Sequence, residues 1–109
     1  MSIIERPDEL EAYFHASGKP RDRWRVGTEY EKVGIFRANG QAIPYHGPRS
    51  VDYILRALIE RFGWEPEEQD GSIIALSRDK AQITLEPGGQ IELSGEPCES
   101  IHCTYAEFT

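Results

Sequence analysis

Apolar residues recur at two spacings along the chain, and these spacings predict helices and strands in different segments. Residues 50–62 carry apolar side chains at the i, i+3, i+4, i+7 positions of a helix with one buried face. Ser50 is suited to cap the start of this helix, and Gly63 is suited to cap its end. Shorter helices are predicted at residues 7–16 and from Pro97 onward, because proline is favoured in the first turn of a helix.

Apolar and polar residues alternate in the remaining regular segments, which predicts strands. The alternating segments are residues 24–36, 72–77, 81–86 and 90–94. The dipeptides Asn39-Gly40 and Asp70-Gly71 are typical of tight turns. Short strands joined by tight turns, with helices between and beside them, predict an α+β fold built on an antiparallel sheet with flanking helices.

Composition and charge narrow the function without defining it. The 109 residues carry a net charge of −7, which argues against nucleic acid as a partner because no basic patch is available to neutralise phosphates. No apolar run approaches the roughly 20 residues that span a bilayer, so no membrane association is expected. The first six residues lack the features of a secretory signal or a transit peptide, and we therefore expect a cytoplasmic protein.

Two cysteines, Cys98 and Cys103, lie five residues apart. This spacing matches neither a zinc-binding pair nor a redox CxxC motif. We expect both residues to lie on one helix as reduced, partly buried thiols.

Four glutamates lie on three of the predicted strands. Glu29 and Glu31 are two residues apart and therefore point to one face of their strand. Glu86 and Glu92 can share a polar face if residues 87–89 form a turn or bulge between them. Carboxylates on adjacent strands suit Mg²⁺, which takes oxygen ligands together with substrate phosphates. From spacing alone, however, solvated strand faces joined by a plain Pro-Gly-Gly hairpin are the favoured interpretation.

Four segments resemble motifs of one enzyme family, the glutamate–cysteine ligases of plants and many bacteria. The segment VGTEYEKVG at 26–34 resembles the family's GTE-x-EK-x-G strand, and IPYHG at 43–47 resembles its IPY-x-G loop. The segment LEPGGQIELSG at 85–95 resembles its LEPGGQ-x-ELSG signature, and IHCTYAE at 101–107 resembles IHQTCAE. The four matches occur in the family's order and cover most of residues 24–107.

The resemblance implies a fold, a reaction and a set of site residues. The family belongs to the glutamine-synthetase-like carboxylate–amine ligases, whose active site is an antiparallel sheet lined by acidic residues. Its members use ATP and Mg²⁺ to join the side-chain carboxylate of L-glutamate to the amine of L-cysteine through an acyl phosphate, the first step of glutathione synthesis. By resemblance, the catalytic residues and Mg²⁺-ATP ligands are Glu29, Glu31, Glu86 and Glu92. The residues expected to contact nucleotide or substrate are Gly88, Gly89 and Gln90.

Enzymes of this family are several times longer than this chain, and the last predicted helix has no C-terminal cap at Thr109. We therefore expect residues 1–109 to be a single N-terminal portion of a larger catalytic domain. Its partner would be the rest of the ligase chain, and the portion alone would be inactive. The departures from the family pattern are His46, Cys98, Cys103 and Tyr105. They leave open a ligase for a different acceptor amine. A short binding protein without catalysis is a further alternative.

Overall fold

The computed structural model describes residues 3–109 and has an α+β architecture, which confirms the predicted fold class. The helices are α1 (Pro7–Ser17), α2 (Val51–Phe62) and α3 (Ile101–Phe108). The strands are β1 (Glu29–Val33), β2 (Glu65–Gln69), β3 (Ser72–Arg78), β4 (Ala81–Glu86) and β5 (Gln90–Ser94). Within residues 3–109, no helix is both long and apolar enough to cross a membrane.

The strands form one antiparallel sheet in the order β1-β5-β4-β3-β2. Three consecutive hairpins build β2 to β5, and residues with positive φ, such as Asp70, Gly71 and Asp79, close the first two. The first strand, β1, pairs with the last strand, β5, at the edge of the sheet. The chain therefore brings its two glutamate-bearing segments side by side although about sixty residues separate them.

Helix α2 packs on one face of the sheet and forms the core with it. The Ser50 hydroxyl accepts a hydrogen bond from the backbone N–H of Tyr53 at 3.1 Å, which satisfies one free donor at the start of the helix. Gly63 ends the helix with φ +69°, as expected for a left-handed C-terminal cap. The side chain of Leu55 is fully buried against the sheet residues Ile73 and Leu76. The predicted helix and both of its caps are thus confirmed.

Several elements differ from the sequence-based expectation, and β1 covers only Glu29–Val33 of the predicted extended segment 24–36. Strand β2 was not predicted, because the sequence EPEEQ lacks alternating apolar residues. It lies at the sheet edge and pairs only with β3, a position in which Pro66 and three glutamates are tolerated. Helix α1 has the predicted extent, but its apolar residues Tyr13 and Phe14 are 63% and 68% exposed, so this stripe does not enter the core.

The expectation for the cysteines was wrong, because Cys98 and Cys103 form a disulfide with a Cα–Cα distance of 5.7 Å. They are not on one helix. Cys98 is extended and exchanges two backbone hydrogen bonds with Val26, at 2.7 and 2.8 Å. Helix α3 begins at Ile101 rather than at Pro97, and it presents Cys103 in its first turn toward this extended segment.

Candidate active site on the open face of the sheet

The four predicted glutamates lie on the face of the sheet opposite α2. Strand alternation directs Ile91 and Leu93 of β5 toward α2, where they pack against the core. The residues between and beside them, including Glu92, therefore point to the other face. The register of β1 and β4 against β5 extends this arrangement across three strands. The members of the acidic face, as we call it, are Glu29, Glu31, Gln82, Thr84, Glu86, Gln90, Glu92 and Ser94.

Glu92 occupies the centre of the acidic face. Glu31 of β1 lies directly opposite Glu92, and Thr84 of β4 lies opposite it on the other side. Glu29 pairs with Ser94 and Glu86 pairs with Gln90, so each of these glutamates is a diagonal neighbour of Glu92. Directly opposed side chains are about 5 Å apart at Cβ, and diagonal ones about 7–8 Å. The structure therefore groups Glu29, Glu31 and Glu92, while β5 separates Glu86 from the glutamates of β1.

The environments of these carboxylates differ. Glu92 is 9% exposed, because strands flank it on both sides. Glu29 and Glu31 are exposed on the edge strand, and Glu86 is half-buried at the end of β4. The Ser94 hydroxyl donates a hydrogen bond to Oε1 of Glu92 at 2.9 Å. The carboxylate of Glu92 is therefore buried and hydrogen-bonded, whereas those of Glu29 and Glu31 are accessible to solvent.

The segment between Glu86 and Gln90 is a hairpin turn. The N–H of Gly89 donates to the carbonyl oxygen of Glu86 at 3.2 Å, and Gly88 and Gly89 have φ values of +82° and +78°. Proline followed by a glycine with positive φ is the preferred sequence of a type II turn. The turn alone is therefore a sufficient reason for both glycines, and their contact with a ligand stays a prediction.

The chemistry of the donors on the acidic face fits a hard cation such as Mg²⁺. All of them are oxygens of carboxylates, hydroxyls or side-chain amides, which are the ligands that Mg²⁺ prefers over nitrogen and sulfur. The side chains stand next to one another and do not converge on a point. Throughout residues 3–109, no three acidic, histidine or cysteine side chains approach closely enough to hold a metal ion by themselves. Substrate phosphates and water would have to complete any such site.

Alternation predicts the polar face for Gln82, Thr84 and Ser94, but these three members of the acidic face were not predicted as site residues, and Thr84 and Ser94 matter most here. Both lie next to Glu92, one across the strands and one along its own strand. The period-2 pattern places Ser94 on the same face as Glu92, so the signal was present in the sequence. The hydrogen bond between them depends on rotamers, and alternation does not specify those.

The structure thus combines an antiparallel sheet, a helix packed on one of its faces and glutamates grouped on the other. The family model described as "Glutamate-cysteine ligase family 2" matches residues 25–109. The chain therefore belongs to this glutamate–cysteine ligase family, and the resemblance of its four motifs is confirmed.

Several plant proteins of this family are similar to the chain. It is 43% identical over 100 residues to glutamate–cysteine ligase A, chloroplastic, of Oryza sativa subsp. japonica. It is 40% identical over 100 residues to the chloroplastic glutamate–cysteine ligases of Nicotiana tabacum and of Arabidopsis thaliana. These matches cover 92% of the chain but only 19–20% of each relative. The chain thus spans about a fifth of the length of the curated relatives it matches.

The names of these relatives also correct one expectation. We predicted a cytoplasmic protein from the character of the first residues. The prediction is wrong by this comparison, because the plant relatives are named as chloroplastic proteins. Features of a short N-terminal segment are a poor guide to the compartment of a chain that matches only part of its relatives.

Proposed function

We propose that residues 1–109 form part of the catalytic domain of a glutamate–cysteine ligase, in which the acidic face holds Mg²⁺-ATP. The observation that carries this proposal is the direct opposition of Glu31 and Glu92 on paired strands of a chain that belongs to the ligase family. Two like charges held side by side repel each other unless a cation or a proton lies between them. A magnesium ion bound to nucleotide phosphates would relieve this repulsion.

In the proposed reaction, the side-chain carboxylate of L-glutamate attacks the γ-phosphorus of ATP and ADP leaves. The amine of L-cysteine then attacks the acyl phosphate, and phosphate departs as γ-glutamylcysteine forms. Bound Mg²⁺ would neutralise the charge that develops on the transferred phosphoryl group. The role of Glu29, Glu31, Glu86 and Glu92 is to position these charges, since phosphoryl transfer needs orientation and neutralisation more than a covalent catalyst.

The other site residues would have supporting roles. Gln90 lies opposite Glu86 at the end of the acidic face, where its amide can contact a substrate. Gly88 and Gly89 would let a ligand approach the backbone of the turn, since neither has a Cβ. The residues that complete the nucleotide pocket would come from the rest of the ligase chain, so residues 1–109 alone would be inactive.

The test is to express the complete reading frame that encodes these residues and to measure ATP-dependent formation of γ-glutamylcysteine. We expect activity that requires Mg²⁺ and that falls by orders of magnitude in Glu31→Gln and Glu92→Gln. Glu60→Gln is a matched control, because Glu60 is an exposed glutamate on α2, away from the acidic face. Activity of Glu92→Gln equal to that of the unsubstituted enzyme would refute the assignment of the site.

The acceptor amine is a separate question, and the disulfide bears on it. Cys98 and Cys103 both stand at positions where the chain departs from the family pattern, and they are joined to each other at the start of α3. Because these two departures are joined in one place, the second candidate function is ligation of L-glutamate to an amine other than that of L-cysteine. Competition of L-cysteine with other amino acids in the same assay would distinguish the two, and preference for another amine would replace cysteine as the substrate.

A further inference from the structure

Ser94 is the only side chain in residues 3–109 that donates a hydrogen bond to Glu92. Its hydroxyl lies 2.9 Å from Oε1 of the carboxylate, and both side chains are on the acidic face two residues apart. Glu92 is 9% exposed, so little water is available to replace this donor. The hydroxyl therefore limits the rotation of a carboxylate that is otherwise held only by its neighbours on β1 and β4.

The hydrogen bond from Ser94 engages one of the two oxygens of Glu92. A hydrogen bond to Oε1 uses lone-pair capacity of that oxygen and leaves Oε2 free to interact elsewhere. Across the sheet, Glu31 lies directly opposite Glu92, and Glu29 is the diagonal neighbour that pairs with Ser94 itself. The carboxylate to which Ser94 donates is therefore a neighbour of both glutamates of β1.

We propose that Ser94 is a positioning residue, whose hydroxyl holds Glu92 in the orientation that binds the divalent cation. This inference rests on the proposed function, because it assigns a role within the same site. Partners that hydrogen-bond a metal-binding side chain fix its orientation and tune its basicity, and losing one commonly weakens metal binding by tenfold or more. Ser94 need not touch the ion or the substrate to have this effect.

The chain offers a matched control for this residue. The row of paired residues that contains Ser94 continues through Gln82 of β4 to Ser77 of β3. Ser77 is exposed, lies on the same face of the sheet and forms no side-chain hydrogen bond within the described residues. Ser77→Ala therefore removes a hydroxyl of the same kind from the same row without affecting Glu92.

The experiment uses the protein from the complete reading frame and two readouts. Binding of Mn²⁺ is measured by electron paramagnetic resonance, and the Mg²⁺ dependence of γ-glutamylcysteine formation is measured in parallel. We expect Ser94→Ala to weaken Mn²⁺ binding and to raise the Mg²⁺ concentration for half-maximal rate by about tenfold. At saturating Mg²⁺ most of the rate should return, because the carboxylate is still present. Ser94→Thr keeps a hydroxyl and should bind Mn²⁺ like the unsubstituted protein, as should Ser77→Ala.

The outcomes separate the two proposals. Unchanged Mn²⁺ binding in Ser94→Ala overturns the positioning role, whatever the activity. A Ser94→Thr variant as defective as Ser94→Ala also overturns it, because the hydroxyl would then not be the cause. Mn²⁺ binding without any ligase activity in the unsubstituted protein overturns the proposed function while leaving the positioning role open to the binding test. Absence of Mn²⁺ binding both with and without a non-hydrolysable ATP analogue overturns both.

Discussion

Glu31 of β1 and Glu92 of β5 are directly opposite each other in an antiparallel pair, with their side chains on the same face of the sheet. Like charges in this relationship destabilise the sheet, while opposite charges would stabilise it. The chain carries a net charge of −7, so the wider field adds to the repulsion. A pair of this kind is unfavourable for folding unless a cation or a proton lies between the two carboxylates.

Glu31→Gln should therefore stabilise the protein when no metal ion is present. We expect the free energy of unfolding of the 109-residue chain to rise by up to about 1 kcal/mol, because one of two opposed like charges is removed. The measurement is urea unfolding followed by circular dichroism in the presence of a chelator. Glu60→Gln, on the exposed face of α2, should produce a smaller change. A loss of stability in Glu31→Gln would show that the two carboxylates do not repel.

Magnesium should stabilise the unsubstituted protein but not a variant that lacks the central carboxylate of the acidic face. A ligand that binds only the folded state raises the free energy of unfolding in proportion to the logarithm of its concentration over the dissociation constant. We expect Mg²⁺ to stabilise the unsubstituted protein and to have little effect on Glu92→Gln, which lacks the central carboxylate. The test is to measure the melting temperature across a Mg²⁺ titration. Sodium chloride at equal ionic strength is the control. Equal stabilisation of both proteins would place the bound ion away from Glu92.

The disulfide between Cys98 and Cys103 should stabilise the start of α3. It closes a loop with a sequence separation of 5, for which the chain-entropy relation gives about 2 kcal/mol. Reduction should lower the melting temperature, and Cys103→Ser should show the lower value with or without reductant. Thiol titration of the denatured protein without reductant should detect no free cysteine, and two free thiols there would contradict the bond.

Gly88→Ala tests why glycine is present in the turn of the acidic face. Gly88 has φ +82°, and an added Cβ meets no atom within 4 Å, so any cost comes from the backbone conformation and not from crowding. We expect a loss of about 1–2 kcal/mol without any ligand, as for other residues forced into the left-handed region. Gly27→Ala is the control, since its Cβ also meets nothing and its φ is not in that region. If Gly88→Ala is as stable as the unsubstituted protein, the backbone conformation does not explain the glycine, and close approach of a ligand would explain it instead.

Leu55→Ala should cost far more than the same truncation in α1. Leu55 is fully buried between α2 and the sheet, and removal of such a side chain typically costs 2–5 kcal/mol. Leu10 of α1 is 46% exposed on a helix with no buried residue, so Leu10→Ala should change the free energy of unfolding by well under 1 kcal/mol. Denaturant unfolding of both variants gives the comparison. A large loss in Leu10→Ala would mean that α1 packs on the core.

The sequence pattern predicted the bounds of an element correctly where the spacing of apolar residues agreed with the capping or turn residues at its ends. Helix α2 has the predicted residues and caps, and β4 and β5 begin and end where the alternation does. Strand β2 was missed because edge position and pairing, rather than its own composition, make EPEEQ extended. The disulfide was missed because it depends on the position of Cys98 beside Val26, which comes from a distant part of the chain.

For the site, the sequence by itself determined which face each glutamate occupies, since strand alternation is a local property of the backbone. It also determined the turn at Gly88 and Gly89, whose positive φ values few other residues adopt. Only the tertiary structure decided that β1 lies beside β5 in the register that opposes Glu31 and Glu92. Register depends on long-range pairing and on burial of the apolar face, and a shift of one residue would turn these carboxylates into the core.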